Sequence, residues 1–297
     1  MAEVETTTVP LNRAAEEVSS PWRDAWRTLR KNRMAMLGLG IIVFFVAVAL
    51  LAPVIARYPY DEGELLNRNK PPSAEHWFGT DYNGRDMFSR IVYGARISLW
   101  VGTSSVIGSI VVGSLLGLLA GFYGRWIDML ISRIFDIMLA FPSILLAIAI
   151  VAILGPSLRN ALLAIAIINV PTFGRLIRSR VMSLKEEEFV MAAKALGMTD
   201  ARIIFHHLLP NSLAPIIVTG TLCVATAIIE AAALGFLGLG AQPPEPEWGK
   251  MLSDAKEYIQ KAPWTMIFPG ISIMLTVLGF NLVGDGLRDA IDPRMKN

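Results

Sequence analysis

The sequence predicts an all-α polytopic membrane protein with about six transmembrane helices, and two observations carry that prediction. Of 297 residues, 54% are hydrophobic and only 18% charged, which with a mean hydropathy of +0.50 is too apolar for an ordinary water-soluble domain. The charge is gathered between apolar stretches, most of them near the roughly 20 residues a helix needs to cross the hydrocarbon. With 27 basic against 25 acidic residues, no surface suited to nucleic acid is expected. The single cysteine, Cys223, lies in an apolar run and excludes an internal disulfide or a cysteine-built metal cluster.

Residues 1–33 read as a cytosolic tail ending in a short amphipathic helix. Glu3, Glu5, Glu16 and Glu17 and the lack of an apolar core argue against a cleaved signal peptide. Ser20 suits a helix N-cap and Pro21 the first helical position, while Trp22, Trp26 and Leu29 recur on one face beside Arg23, Arg27 and Arg30, as for a helix lying on the inner leaflet or, equally, one packed on protein. Residues 34–56 form a first span, 57–96 an extracytoplasmic loop, 97–290 a membrane core and 291–297 a cytosolic tail. Within the core, spans are expected over 97–121, 129–154, 158–173, 213–240 and 266–287, the fourth cut short by Pro171 and then by Arg175, Arg178 and Arg180. Basic residues before the first span and between the fourth and fifth place both termini in the cytosol. In the second span Gly113, Gly117 and Gly121 repeat every four residues, a pattern that lets two helices approach closely.

The stretch 183–210, SLKEEEFVMAAKALGMTDARIIFHHLLP, predicts a compact knob on the cytosolic face. Ser183 and Glu186 have the spacing of a capping box, so a helix is expected to start there. Gly197 can take the left-handed conformation that ends it. A second helix is expected from about Thr199 until Pro210, whose ring and missing N–H disturb continuation. Ala192 and Ala193 admit a close neighbour, and Phe189, Val190, Leu196, Ile203, Ile204 and Leu208 offer apolar area, which suits either a docking partner or packing on the protein's own helices.

Several single residues bear on function. Glu230 is the sole acid within the fifth span; such a carboxylate normally faces a partner or a water-filled path, so it is a candidate for the translocation path or gate. Arg133 and Asp136 are spaced to meet on one helix face. The adjacent His206 and His207 diverge by about 100° on a helix and do not make a metal site; none is expected elsewhere. Asp81, Arg85 and Asp86, beside the turn residues Gly79 and Gly84, suit either a salt-bridged loop or a contact with a partner.

MAAKALG followed by RIIFHHLLPNSLAP resembles the cytoplasmic EAA loop of permease subunits in ATP-binding-cassette (ABC) importers, whose pattern is Glu-Ala-Ala, three residues, Gly, nine residues, Ile-x-Leu-Pro. Ala192, Ala193, Gly197, Leu209 and Pro210 match it; Met191 replaces the glutamate and His207 the isoleucine. LRKNRMAMLGLGII at the first span, HWFGTDYNGRDMFSRIVYGARISLWVG over 76–102 and NLVGDGLRDAIDPR over 281–294 are similar to the C-type permease subunit of dipeptide, oligopeptide and nickel importers. The resemblance implies a type I importer fold, five core helices plus one N-terminal helix. It implies a homologous permease as partner, two cytosolic ATP-binding subunits, an extracytoplasmic substrate-binding protein and a bacterial or archaeal plasma membrane. Phe189, Ala192, Ala193, Leu196, Gly197, His207 and Pro210 would then form the ATPase-docking loop. The chain holds no G-x-x-x-x-G-K-[ST] phosphate loop, so ATP and Mg would be bound by the partners, with no cofactor and no catalytic centre here. The rival reading is a self-sufficient proton-coupled carrier using Glu230; such carriers are built from internal repeats and paired broken helices, and neither is clear in this sequence.

Overall fold

The computed structural model describes residues 21–291; the tails expected outside them, with Ser20, fall beyond the described residues. A short helix α1 (Pro21–Lys31) leads into α2 (Arg33–Leu50), the first span. They are separated at Asn32, whose Oδ1 accepts the free N–H groups of Met34 and Ala35 at 3.0 and 3.2 Å and so starts α2 afresh. Leu29 of α1 is buried against Ala35 and Ala290, which pins α1 to the end of the last helix, while Trp26 stays half exposed beneath the Arg30 guanidinium. A four-residue helix, α3 (Ala52–Ile55), follows.

The next helix, α4 (Met87–Tyr123), begins at Met87 instead of Ile97. Asp86 caps it by accepting the Ser89 N–H at 2.8 Å. At 37 residues it is about 55 Å long, well beyond the roughly 30 Å of hydrocarbon. Its first turns therefore stand outside the membrane, and Arg90 and Arg96, assigned above to the loop, belong to it. The expected single third span is broken: α5 (Arg125–Leu139) and α6 (Ser143–Leu154) meet at 94°. Pro142 forms the corner, since proline excludes the residue before it from helical backbone angles. Five helices are long and apolar enough to cross a membrane, or six if this bent pair counts as one span.

The fourth span runs on as α7 (Leu158–Leu184), with Pro171 inside it. The expected stop at Phe173 fails because Pro171 costs one ladder hydrogen bond while burial against α4 holds the helix together. That packing is set by the glycine repeat: a methyl group on Gly113, Gly117 or Gly121 would lie 2.6, 2.4 or 2.9 Å from a carbonyl oxygen of α7. The repeat thus serves packing within the chain. Gly174 in turn receives the Phe135 ring of α5.

After two short helices, α8 (Glu188–Ala195) and α9 (Asp200–Ile203), the chain re-enters as α10 (Leu213–Phe236). An unanticipated helix, α11 (Trp248–Ala255), precedes the last span, α12 (Trp264–Ile291). Trp248 is wholly buried; its indole N–H donates to the Ile91 carbonyl at 3.1 Å. One apolar core joins α2, α4, α6, α7, α10 and α12. A second, smaller cluster lies where α4 and α7 meet the α8–α9 segment.

Candidate functional site

The knob 183–212 sits at the end of the molecule that also carries α1 and the end of α12. Its first helix does not start at Ser183, which remains inside α7; Glu187 is the N-cap and α8 begins at Glu188. The Ser183 carbonyl accepts the Glu186 N–H at 3.3 Å, so the supposed capping box is the last turn of α7. The far end of α8 follows expectation. Gly197 has φ +77°, Met198 N–H donates to the Ala193 carbonyl at 3.1 Å and Gly197 N–H to Lys194 at 3.0 Å, the paired bonds of a glycine-terminated helix. Thr199 occupies the N-cap position of α9 without a side-chain capping bond, and the chain then passes through one wide turn and a tight one at Pro210 into α10.

The knob has two faces. Val190, Ala193, Ile203, Ile204 and Leu208 point inward onto Leu118, Ile177 and Val181, so most of the apolar area expected for a partner is used as a base. The Lys194 ammonium lies 5.3 Å from the Phe122 ring and adds a tie to α4. Outward stand Phe189, Met191, Leu196 and Phe205, with Leu196 83% exposed. Ala192, Gly197 and Pro210 share the outer surface, whereas Ala193 does not. His207 is half-buried 6.1 Å from the Phe189 ring. Phe205 was not singled out in the sequence, and Met191 was noted there only as the residue standing where the EAA pattern has glutamate, not as part of this outer surface.

The same end holds two ion pairs between α5 and α7. Arg178 grips both oxygens of Asp128, with Nη2 to Oδ2 at 2.7 Å, and Arg175 donates to Asp136 at 2.6 Å. Asp136 therefore pairs across helices instead of with Arg133, because Phe135 fits under Gly174 and brings α5 across α7 at that level. These bonds tie the bent span to the helix from which the knob grows.

Glu230, on α10, is partly buried and receives a hydrogen bond from the Asn169 amide of α7 at 3.1 Å. Asn169 also donates to the Ile165 carbonyl. Ser143, the first residue after the α5–α6 corner, lies close enough to bear on the same carboxyl group. The polar partner anticipated for an acid at membrane depth is thus Asn169.

At the opposite end, the motif around Gly79 and Gly84 is a buried ionic network. Asp81 accepts from Arg85 Nε at 2.7 Å and lies 3.6 Å from Arg90 Nε. His76 Nδ1 pairs with Asp86 at 2.9 Å. All five residues are at most 5% exposed, which makes this the salt-bridged loop. Beside it Glu247, fully buried, caps α11 by accepting from Gly249 and Lys250 N–H at 2.8 Å each. Burial pushes its carboxyl group up to about 6. Because the folded value exceeds the ordinary carboxylate value, the contribution is full at pH 4 and is lost as pH rises past 6. Glu247→Gln should therefore flatten the fall in thermal stability across pH 4.5–6.5, a difference of about 2 kcal/mol; parallel unfolding curves for both proteins over that range would contradict this. Among the described residues no group of three or more His, Cys, Asp or Glu side chains is placed to hold a metal ion.

Residues 113–297 match the family described as binding-protein-dependent transport system inner membrane component, and residues 20–72 match the N-terminal TM domain of oligopeptide transport permease C. The dipeptide transport system permease protein DppC of Alkalihalophilus pseudofirmus is 69% identical over 278 residues, covering 94% of this chain and 91% of that protein. The di/tripeptide transport system permease protein DppC of Pseudomonas aeruginosa is 49% identical over 94% of both chains. The glutathione transport system permease protein GsiD of Escherichia coli is 47% identical, covering 95% of this chain and 93% of its own. In structure, a chain of the inward-facing MetNI methionine ABC transporter superposes with a TM-score of 0.54 at 21% identity, covering 69% of this chain and 98% of that one, which establishes the shared fold.

Proposed function

Since the chain belongs to the family of binding-protein-dependent transport system inner membrane components, we propose that it is one of two permease subunits of an ABC importer for short peptides. Its relatives are named for dipeptide, di/tripeptide and glutathione transport, cargoes that share a peptide backbone. In this reading the knob end, with both termini, faces the cytosol of a bacterium and the Asp81 network faces outward. A homologous permease completes the path, two ATP-binding subunits dock on the knob, and an extracytoplasmic binding protein delivers the peptide. ATP and its Mg are held by the docked subunits, and this chain does no chemistry of its own.

The observation that carries the reading is the two-faced knob. Phe189, Ala192, Leu196, Gly197, His207 and Pro210 form the docking surface around Met191 and Phe205, with Ala193 holding it from beneath. Its base is continuous with α4 and α7. Movement of the docked subunits is therefore delivered to the membrane helices as a rigid displacement, and the Asp128–Arg178 and Asp136–Arg175 bonds pass it to α5. The bundle then exchanges inward and outward openings, biased by the different affinities of ATP and peptide for the two states.

Glu230 and Asn169 join α10 to α7 beside the corner of the broken span, a position suited to the path or its gate. Glu230→Leu should lower ATP-driven uptake about tenfold by leaving the Asn169 amide without its carboxyl acceptor, whereas Glu230→Gln should keep most of it; equal uptake by both variants and the parent removes Glu230 from the path. The reading as a whole is tested in liposomes. Peptide accumulation should require the second permease, the ATP-binding subunits, the binding protein and ATP. Accumulation by this chain alone under a pH gradient would establish the proton-coupled carrier instead.

A further inference from the structure

At the end of the molecule that carries the Asp81 network, a groove of about 810 Å³ opens between α2, α4 and α12. Its walls include Ala49, Leu50, Leu99, Trp100 and Phe280, and one charged side chain, Arg96, stands in it. Arg96 is exposed and makes no ion pair or hydrogen bond with any described residue. Asp81 is engaged by Arg85 and Arg90.

The level of the groove is fixed by its neighbours. Leu50 ends α2, so the chain beyond it leaves the membrane. Trp100, one turn deeper than Arg96 on α4, is 57% exposed; aromatic rings gather where hydrocarbon meets headgroups. Arg96 is therefore at headgroup depth and the apolar walls reach into the leaflet below. A solitary guanidinium above a dry slot is complementary to one kind of molecule available at that depth. Its charge takes a phosphate in two parallel hydrogen bonds, and the slot takes a hydrocarbon chain.

We propose that this groove is a phospholipid site, with the phosphate on Arg96 and an acyl chain along α2 and α4, and that it favours an anionic headgroup. The lipid would fill the seam between the N-terminal helix and the core and hold α2 in place while the core moves. This placement depends on the chain's lying in a membrane and not on which cargo it carries.

The test uses the intact transporter, purified in mild detergent, stripped of lipid and titrated with dioleoyl phosphatidylglycerol while bound lipids are counted by native mass spectrometry. One phosphatidylglycerol should bind ahead of the others and ahead of dioleoyl phosphatidylcholine. Arg96→Gln should weaken that first site at least about fivefold, and Ala49→Phe, which fills the slot and leaves the charge, should also weaken it. A second measurement identifies the occupant directly: p-benzoylphenylalanine at position 100, irradiated in the native membrane, should form a lipid adduct. Indifference of the first site to both substitutions overturns the proposal, as does crosslinking at position 100 to the second permease. ATP-driven peptide uptake by the same preparation is scored separately, so loss of the lipid site and loss of the importer reading are distinguishable.

Discussion

Gly117→Leu should leave almost no folded protein in the membrane, while Gly40→Ala accumulates as the parent does. The contrast follows from where the two glycines sit. Around Gly40 nothing lies within 4 Å of an added methyl group, whereas at Gly117 that methyl would lie 2.4 Å from the Gly174 carbonyl oxygen and 3.0 Å from Ile177 Cβ. Lipid supplies no hydrophobic force to press two helices together, so the contact between α4 and α7 depends on backbones that touch. A larger side chain must separate them along the whole Gly113–Gly117–Gly121 line, at a cost of about 1–3 kcal/mol or more for overpacking alone. The knob rests on both helices, so the damage extends to it. Fluorescence of a C-terminal reporter after detergent size-exclusion chromatography measures the outcome. A monodisperse Gly117→Leu peak at parental height would show that α4 and α7 are not held by this line.

The second large effect is expected at Gly197, and it should be functional, not structural. Gly197→Val should abolish ATP-driven uptake while the protein still inserts, because the position at φ +77° is open to solvent and needs only the left-handed backbone. That conformation costs an ordinary L-residue roughly 1–2 kcal/mol, and a β-branched one is a steric outlier there. Relief comes by re-forming the turn, which moves Leu196 and the end of α8. Asparagine tolerates the left-handed region, so Gly197→Asn should retain most of the uptake. Copurification of the ATP-binding subunits and uptake are measured together. If valine and asparagine behave alike, the turn's geometry is irrelevant to docking.

Much of this architecture is written in residue patterns with one dominant cause. The apolar runs, the glycine repeat and the Gly197 turn each follow from a single constraint: five of the six expected spans are long helices, the repeat is a line of close helix contact although the sequence did not name α7 as its partner, and α8 ends at the Gly197 turn. The expectation failed where a local signal competed with tertiary packing. Pro171 suggested an end to α7, yet burial carries the helix through. Ser183 and Glu186 had capping-box spacing, but α7 had not finished. Pro142 lies inside a single apolar run, which hid the corner between α5 and α6. The buried half of the knob was unreadable because an apolar residue on a short helix has the same letter whether it meets a partner or its own core. The Glu230–Asn169 bond joins residues 61 positions apart, and no spacing rule anticipates it.

With the knob facing the cytosol as proposed, the exposed side chains of Leu196, Met191, Phe205 and Phe189 present apolar area to water. Such a patch is tolerable only while covered, since exposed contiguous apolar area recruits whatever binds unfolded chains. Synthesis of this chain in excess of the proteins that cover it therefore marks the surplus for proteolysis, and its cellular half-life becomes a gauge of assembly. On the docking proposed above, the surface that receives the ATP-binding subunits would also set the number of copies a cell keeps. A pulse-chase comparison in cells with and without the ATP-binding subunits reads that number directly.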